Sequence, residues 1–316
     1  MRFLVTGGAG FVGSNTIDEL VRRGHDVVVL DDLSTGKAAN LDQVRTSIKL
    51  IEESITNLDA LHEACRGVDC VIHLAAQTSV PRSVKDPIET NLINVNGTLN
   101  VLVAARDAKV KRVVFASSCA VYGKTFVLPI PESTVLAPIS PYGLSKQVGE
   151  AYGRVFQELY GLEFVSLRYF NVFGPRQDPG SPYSGVLSLF NAALLGGTQL
   201  TVYGDGEQSR DFVYVENVVE AILLACEAKG AAGHTFNIGT GGRYTLNQTL
   251  ALLEKIAGRS ARAKYAAPRE GDIRDSQADI GLAREVLGYR PRIGFEEGLK
   301  RTWEWFCAAQ NAPIRP

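Results

Sequence analysis

Two alternating patterns of apolar and polar positions run along the chain. Short runs rich in Val, Ile and Leu, such as Arg2–Thr6 and Asp26–Leu30, predict buried strands. Longer stretches with apolar residues at every third or fourth position predict helices. Further strands are predicted at Ile48–Ile51, Cys70–Leu74, Arg112–Ala116 and Glu163–Arg168. The predicted helices are Val12–Arg22, Asn57–Cys65, Thr90–Ala108 and Pro141–Tyr160.

This alternation predicts an α/β fold with a doubly wound (Rossmann) parallel sheet. The nearly continuous apolar strands indicate that both sheet faces are covered, because right-handed crossovers place a helix layer on each face. After about Asn171 the rhythm breaks into a Gly/Pro-rich loop and shorter elements. We therefore expect a sheet domain over residues 1–171 and a smaller, interleaved lobe over residues 172–316. A strand near residues 235–240, within Thr235–Ile238, is expected to return to the main sheet.

Composition narrows the class of protein. The chain has 316 residues, 45% of them hydrophobic, and a formal net charge of -1, which is typical of a soluble globular protein. The balanced charge gives no field that would attract nucleic acid or an anionic membrane. No apolar run approaches the roughly 18 residues of a membrane span, and no signal-peptide pattern is present, so we expect a cytoplasmic location. The five scattered cysteines and four histidines lack ligand spacing, and we expect no metal.

A glycine-rich turn follows the first predicted strand. The segment Gly7-Gly8-Ala9-Gly10-Phe11-Val12-Gly13 lies between that strand and the first predicted helix. Small residues there let the backbone approach a pyrophosphate, whose charge meets the positive end of the helix dipole. The alternative is a glycine turn that serves packing only. Because of its position, we interpret the turn as a dinucleotide-binding site.

An acidic pair closes the second predicted strand. Asp31, 18 residues after Gly13, can accept hydrogen bonds from adenosine ribose hydroxyls. A 2′-phosphate would be repelled by Asp31 and Asp32, and the basic residue nearest in sequence is Lys37. This pattern favours NAD over NADP. The alternative for Asp31 is a cap or turn residue.

A tyrosine and a lysine share one face of a predicted helix. Tyr142 and Lys146 are four residues apart, the spacing that aligns side chains on a helix. A tyrosine of ordinary pKa, about 10, is no base at neutral pH, but a fixed ammonium and a nicotinamide cation would favour its phenolate. Upstream, Ser117 and Ser118 follow a predicted strand at the carboxyl edge of the sheet, where such sheets bind ligands.

Together these segments identify a family resemblance. The glycine turn, Asp31, the serine pair and Tyr142-Gly143-Leu144-Ser145-Lys146 occur in the order of the extended short-chain dehydrogenase/reductase superfamily. The chain most resembles the NAD-dependent nucleotide-sugar epimerases in it, through nearly its whole length. The resemblance implies that Ser118 is the catalytic hydroxyl, Tyr142 the base and acid, and Lys146 the residue that holds the nicotinamide ribose.

The resemblance also implies two binding sets. The residues expected at NAD are Gly7, Gly10, Phe11, Val12, Gly13, Asp31, Asp32, Ser54, Ile55, Leu74, Ala75, Ala76, Asn94, Tyr142, Lys146 and Tyr169. Those expected at a UDP-sugar substrate are Ser118, Tyr142, Asn171, Thr201, Tyr203, Arg210, Arg269, Asp272 and Ser276. Ser54 departs from the family, many members of which have an aspartate against the adenine there.

The residues after Ser118 bear on the reaction. Related dehydratases have an acidic pair where this chain has Cys119 and Ala120, and related decarboxylases have a glutamate where it has Ala120. Relatives with a catalytic cysteine carry it at the place of Ala120, so Cys119 is out of register. NAD with a single tyrosine base suits inversion at C4 through a transient 4-keto sugar. An NAD(P)-dependent UDP-sugar reductase and a non-catalytic NAD-binding regulator are the alternatives from other classes.

Ser276 bears on the substrate. It occupies the position where strict UDP-glucose/UDP-galactose epimerases carry a bulky aromatic, and a serine leaves room for an N-acetyl group. UDP-GlcNAc and UDP-GalNAc are therefore favoured, with UDP-glucose/UDP-galactose as a second pair and UDP-glucuronate as an alternative. The resemblance also implies a homodimer through the helices Thr90–Ala108 and Pro141–Tyr160.

Overall fold

The computed structural model describes residues 1–178, 185–268 and 273–311. Its strands are β1 (Arg2–Thr6), β2 (Asp26–Leu30), β3 (Ile48–Ile51), β4 (Cys70–His73), β5 (Arg112–Ser118), β6 (Glu163–Tyr169), β7 (Asn171–Phe173), β8 (Gln199–Tyr203), β9 (Ser209–Arg210), β10 (Phe212–Tyr214), β11 (Thr235–Ile238), β12 (Tyr244–Thr245) and β13 (Arg262–Ala266). The α-helices are α1 (Phe11–Arg22), α2 (Leu58–Ala64), α3 (Val80–Lys85), α4 (Pro87–Asn91), α5 (Gly97–Asp107), α6 (Pro141–Tyr160), α7 (Val186–Gly196), α8 (Val215–Glu227), α9 (Leu246–Ala257) and α10 (Phe295–Asn311).

Seven parallel strands form the main sheet, in the order β11-β6-β5-β4-β1-β2-β3. The chain starts in the middle, winds to one edge and then returns to build the other half, so the order reverses between β1 and β4. Such a reversal opens a crevice at the carboxyl ends of the strands, where ligands bind. The predicted doubly wound sheet is therefore confirmed.

The late strand joins the sheet as predicted. β11, Thr235–Ile238, pairs in parallel with β6 from Ser166 to Tyr169. Three small two-stranded sheets, β7 with β10, β8 with β13 and β9 with β12, lie outside the main sheet. The division into residues 1–171 and 172–316 stays a prediction.

Alternate residues of the strands pack on opposite faces of the sheet, as the pleat requires. In β1, Phe3 and Val5 belong to an apolar cluster that includes Ile17 of α1. Leu4 belongs to a separate cluster with Leu102 of α5. Both faces are therefore buried, which explains the continuous apolar strands. None of the helices in the described ranges is long and apolar enough to cross a membrane.

One predicted helix is broken in the structure. The stretch predicted as Thr90–Ala108 comprises the end of α4, a π-helical turn at Leu92–Asn96, and α5. In that turn the buried Asn94 side chain accepts a hydrogen bond from Gln77 N (2.7 Å) and donates one to Gln77 O (2.9 Å). Such π-helical turns, which contain one more residue than an α-helical turn, are frequent at functional sites.

Glycines bring α6 close to the sheet. A Cβ on Gly149 would lie 2.6 Å from the Phe115 ring, and one on Gly153 would lie 2.1 Å from the Phe164 ring. Larger side chains at these positions would push the helix away. This close approach leaves the Lys146 ammonium 4.9 Å from the centre of the Phe115 ring.

Candidate active site

The glycine turn forms a cradle at the start of α1. Gly7 has φ +70°, a left-handed conformation that favours glycine. A Cβ on Gly13 would lie 2.2 Å from Gly7 O, and one on Gly7 would lie 2.7 Å from Ala75 N. No side chain caps the helix at Gly10, so the N–H groups of its first turn, from Phe11 to Gly13, face the cradle without a side-chain acceptor. Such a cradle fits a dinucleotide pyrophosphate.

Asp31 lies at the end of β2 against this cradle. Its carboxylate accepts hydrogen bonds from Ala9 N (2.8 Å) and Leu33 N (2.9 Å). Burial raises the pKa of Asp31, and the two backbone donors oppose that rise. Asp31 therefore does stabilise the turn after β2, as the alternative interpretation predicts. Each carboxylate oxygen can still accept a further hydrogen bond, such as one from a ribose hydroxyl. The neighbouring Asp32 accepts hydrogen bonds from Ser34 N and Oγ.

The other residues expected at the cofactor follow the strand ends. Leu74, Ala75 and Ala76 follow β4, and Thr6 accepts hydrogen bonds there from Leu74 N, through its carbonyl, and from Ala75 N, through its hydroxyl. Asn94 faces the same segment through its bonds to Gln77.

Ser54 and Ile55 follow β3. The Ser54 hydroxyl accepts hydrogen bonds from Thr56 N and Oγ1. Ile55 is buried, and a Cβ on Gly97 would lie 2.5 Å from its side chain. Ile55 thus closes this edge of the crevice by packing against the start of α5.

Tyr169, the last residue of β6, has a buried hydroxyl group. The oxygen of this group has no hydrogen-bond partner in the described part of the chain. Burial raises the pKa of this phenol well above its ordinary value. A buried hydroxyl without a partner is costly, and a bound ligand would supply the missing partner. Its position at the carboxyl edge agrees with the predicted place beside the cofactor.

Ser118 and Tyr142 are brought together by the ends of β5 and α6. Ser118 is the last residue of β5, and Tyr142 is the second residue of α6, whose cap Ser140 accepts from Gly143 N (3.1 Å). A Cβ on Gly143 would lie 2.6 Å from Ala120 O, so this glycine allows the first turn of α6 to contact the segment after Ser118. The Ser118 hydroxyl lies beside the Tyr142 phenol, where it favours the phenolate.

Burial is the largest influence on the pKa values of Tyr142 and Lys146. It raises the pKa of the partly buried Tyr142 to about 12, and the Ser118 hydroxyl opposes this rise. It lowers the pKa of Lys146 to about 7, while the charge of Glu150 acts in the opposite direction. The sequence predicts a phenol with a lowered pKa, but the chain alone does not produce one. The cation of a bound nicotinamide ring would supply charge that the protein lacks here.

The polar groups expected at the substrate gather around β9 and β10. Asn171 donates to Asp211 O (3.2 Å), and Arg210 donates to Ser209 O (2.9 Å) and Arg274 O (3.2 Å). The positive charge of Arg210 favours the thiolate of Cys119, the residue after Ser118. The Arg210 guanidinium therefore lies near the end of β5. Burial nevertheless raises the pKa of Cys119 to about 11.

Ser276 lies beside the same strand. Its backbone N–H donates to Ser209 O (3.1 Å), and only 6% of the residue is exposed. Thr201 and Tyr203 lie further out, on the exposed face of β8. The Tyr203 carbonyl accepts from Gln208 Nε2 (2.5 Å), which ties β8 to the segment that leads into β9. Arg269 and Asp272 lie outside the described residues.

Asp211 supports this arrangement and was missed by the sequence analysis. Its fully buried carboxylate accepts hydrogen bonds from Thr240 N and Oγ1, Gly241 N and Ala278 N. Burial raises its pKa, and these donors oppose the rise. The carboxylate therefore joins the strand after Arg210 to the segment after Ser276. The sequence offers one indication, an acid placed directly before the apolar strand β10.

Glu150 was also missed. It follows Lys146 by one helical turn, and its buried carboxylate is paired with Arg168 of β6 at 2.7 Å. The available indication was the spacing of four residues, which continues the row formed by Tyr142 and Lys146.

Several known proteins are similar to the chain over almost its full length. UDP-glucose 4-epimerase from Thermotoga maritima, solved with UDP-glucose, is 41% identical and has a TM-score of 0.94, with 98% of this chain and 100% of that chain covered. UDP-N-acetylglucosamine 4-epimerase from Methanobrevibacter ruminantium is 39% identical, with a TM-score of 0.93 and 98% of each chain covered. UDP-glucose 4-epimerase from Thermus thermophilus, in complex with NAD, is 38% identical, with a TM-score of 0.90 and 98% and 100% covered.

The family model described as "NAD dependent epimerase/dehydratase family" matches residues 3–239. This range contains the glycine cradle, Asp31, Ser118, Tyr142 and Lys146. The predicted resemblance to NAD-dependent epimerases of the extended short-chain dehydrogenase/reductase superfamily is confirmed, as is NAD as the cofactor. The chain belongs to the NAD-dependent epimerase/dehydratase family.

Proposed function

We propose that this enzyme is a UDP-sugar 4-epimerase with UDP-GlcNAc and UDP-GalNAc as its preferred pair and UDP-glucose and UDP-galactose as a second pair. The observation that carries the proposal is the juxtaposition of Ser118 and Tyr142 at the carboxyl edge of the sheet, with Lys146 one turn further along α6. The relatives named above act on sugars of both kinds, which supports the class of substrate.

The residues that would hold NAD fit it chemically. The cradle from Gly7 to Gly13 offers backbone N–H groups to the pyrophosphate, and Asp31 offers carboxylate oxygens to the adenosine ribose. Lys146 would hold the nicotinamide ribose, and the partnerless Tyr169 hydroxyl would lie along the cofactor. When bound, NAD supplies a reversible hydride acceptor for the sugar C4.

Tyr142 would move the proton. Its phenolate would take the proton of the 4-hydroxyl as the sugar becomes a 4-keto sugar and would return it after the sugar presents its other face. Ser118, which lies beside Tyr142, would orient both the phenol and the sugar oxygen. Because the same tyrosine serves both directions, this inversion at C4 needs no second acid or base.

The two residues after Ser118 separate this reaction from others in the family. Ala120 has no ionisable group, and burial raises the pKa of Cys119 to about 11, so this thiol stays protonated at neutral pH. Elimination of water or loss of a carboxyl group requires a further proton carrier at these positions in the related dehydratases and decarboxylases. Neither Cys119 nor Ala120 replaces that carrier, which supports epimerisation.

The diphosphate would be held by the polar groups around β9. Arg210 presents a guanidinium, which binds phosphate oxygens in a bidentate manner, and Asn171 adds an amide. Arg269, Asp272, Thr201 and Tyr203 are proposed to complete the nucleotide site. With the diphosphate fixed, the sugar could rotate while its anchor stays in place.

The preference for N-acetylated sugars rests on Ser276. A short side chain beside Ser209 and Arg210 would leave room for a 2-N-acetyl group. UDP-glucuronate is the remaining alternative substrate.

The decisive experiment incubates the purified protein, without added NAD, with UDP-GlcNAc, UDP-glucose or UDP-glucuronate and resolves the 4-epimers by NMR. Equilibration of UDP-GlcNAc with UDP-GalNAc supports the proposal, including retained NAD. Epimerisation of only UDP-glucose or UDP-glucuronate leaves the reaction and contradicts the substrate preference. Consumption of NAD(P)H with a UDP-sugar would favour the reductase alternative, and NAD binding without turnover would favour the regulator.

The enzyme is further proposed to act as a homodimer. The outer faces of α6 and the preceding helices carry exposed apolar side chains, among them Ile88 (82% exposed), Leu92, Leu144, Val155 and Leu159 (66% exposed). Exposed apolar surface of this extent is typical of an interaction site. A two-fold axis along these helices would let the same face of each copy cover the other.

A further inference from the structure

Glu150 occupies the third place in the row of side chains that starts with Tyr142 and Lys146 on α6. Only 1% of this residue is exposed. Its carboxylate accepts hydrogen bonds from Ser117 Oγ (2.5 Å) and from Arg168 Nε (2.9 Å) and Nη2 (2.7 Å). Ser117 precedes Ser118 on β5, so this buried carboxylate joins α6, the helix that carries Tyr142, to the strand that carries Ser118.

We propose that Glu150 is a positioning residue of this active site, which holds β5 through Ser117 and keeps the buried Lys146 ammonium charged beside Tyr142. The proposal rests on the roles proposed above for Tyr142 and Lys146. Glu150 would not contact the substrate, and it would act through these two residues.

The electrostatic part follows from the burial of Lys146. Burial lowers the pKa of this ammonium to about 7, and the negative charge of Glu150 opposes the shift. From β4, His73 faces the lysine, but burial lowers the pKa of this imidazole to about 3, so it is neutral at physiological pH. Tyr142 and Cys119 are neutral as well, because burial raises both of their pKa values. Glu150 is therefore the nearby anion that favours the charged lysine.

Arg168 approaches from β6 and limits this effect. Its guanidinium binds Glu150, contacts the Tyr122 hydroxyl (2.8 Å) and donates to Glu132 O (3.1 Å). Hydrogen bonds and charge from Glu150 raise its pKa, although burial opposes them. The positive charge weakens the field of Glu150 at Lys146. Removal of both groups should abolish the field of Glu150 at Lys146.

This buried pair gives a test that a purely structural role would fail. Glu150→Gln alone would leave the buried Arg168 guanidinium without its anion, and Arg168→Met alone would leave the buried Glu150 carboxylate without its cation, so either variant could fail to fold. Glu150→Gln combined with Arg168→Met removes both buried charges together. Glu150→Asp keeps the negative charge on a shorter side chain. Glu163→Gln is the matched control, because it breaks the ion pair with Arg112 (2.6 Å) in the same pair of strands.

The measurement is kcat for the epimerisation of a UDP-sugar by the NAD-loaded enzyme between pH 5.5 and 10. If a charged lysine is required, kcat falls as the pH rises through the pKa of Lys146. In the double variant this alkaline limb should move to lower pH by about one unit or more, as expected for the loss of a nearby charge. It should lie close to wild type in Glu150→Asp and stay unchanged in Glu163→Gln.

A second readout does not depend on turnover. The ¹³Cε resonance of Lys146, identified by its loss in Lys146→Arg, reports the titration of the ammonium directly. A lower midpoint of the Lys146 titration in the double variant supports the proposal even if no UDP-sugar tested is turned over. In that case only the proposed substrate is wrong. An active double variant with an unmoved limb and an unmoved midpoint overturns the role of Glu150 and leaves the proposed function intact.

Discussion

The Lys37 ammonium lies 3.0 Å from the Asp178 carboxylate. This ion pair joins the loop after β2, which follows Asp31, to the loop after β7. Two further contacts join that second loop to α1: Asn15 donates to Pro175 O (3.2 Å), and Arg176 lies 2.7 Å from Asp18. The loop after β7 is thus anchored on α1, the helix that begins at the glycine turn, and on the segment after Asp31.

The first prediction concerns the contribution of Asp31 to NAD binding. Asp31→Asn should weaken NAD binding by roughly tenfold or more, because hydrogen bonds to a charged group contribute about 1.5–3 kcal/mol. Asp26→Asn is the control, since this exposed carboxylate lies at the opposite end of β2. The fraction of purified protein that carries NAD, measured after denaturation, reports the effect. Equal retention in both variants would contradict the assignment of Asp31 to the ribose.

The proton transfer is the second prediction. Tyr142→Phe should lower kcat by about 10²–10⁴-fold, the usual contribution of a general acid or base. The fold should persist, because the phenol ring is retained. Tyr160→Phe on the same helix removes an exposed hydroxyl and should leave kcat unchanged. Near-normal epimerisation by Tyr142→Phe would refute the role of this tyrosine.

The close contact of α6 with the segment after β5 is the third prediction. Gly143→Ala places a Cβ 2.6 Å from Ala120 O, a backbone atom that cannot move aside easily. The first turn of α6 should shift, and with it Tyr142 relative to Ser118, which should lower kcat about tenfold or more.

Gly294→Ala serves as the control for the added methyl group, because a Cβ at Gly294 meets nothing within 4 Å. Both kcat and the thermal unfolding midpoint should be measured. Wild-type kcat in Gly143→Ala would show that the positions of Tyr142 and Ser118 do not depend on this contact.

The sequence predicted the sheet well because its strands are local and continuous. Apolar runs such as Asp26–Leu30 report burial on both faces directly, and the bounds of this strand agree with the structure. The break at Leu92–Asn96 was not predictable in this way, since it depends on the contact of Asn94 with Gln77, 17 residues away. Local patterns do not encode such pairings.

The residues of the candidate site also fall into those that a local pattern predicts and those that depend on distant contacts. The glycine turn, Ser118, Tyr142 and Lys146 could be predicted because each lies in a short motif at a strand or helix end. Asp211 and Glu150 could not, because their importance lies in partners from distant segments, such as Ala278 for Asp211 and Arg168 for Glu150. A buried carboxylate and an exposed one look the same in a sequence.

Assembly is the fourth prediction. Leu159→Glu should convert the proposed dimer to a monomer, because it places a carboxylate in an apolar interface where burial of an unpaired charge is costly. Leu189→Glu, on the exposed part of α7, is the control and should leave the assembly unchanged. Light scattering coupled to size-exclusion chromatography gives the mass of each. A monomeric wild type would remove the basis of this prediction.

Substrate size is the last prediction. Ser276→Tyr should depress kcat/KM for UDP-GlcNAc far more than for UDP-glucose, because the added ring would occupy the space proposed for the N-acetyl group. The backbone at Ser276 is fixed by its hydrogen bond to Ser209 O, so the ring could not be relieved by a shift of the loop alone. Ser276→Ala should leave the ratio of the two values close to wild type, since it keeps the site open. Equal losses for both substrates in Ser276→Tyr would show that size selection lies elsewhere.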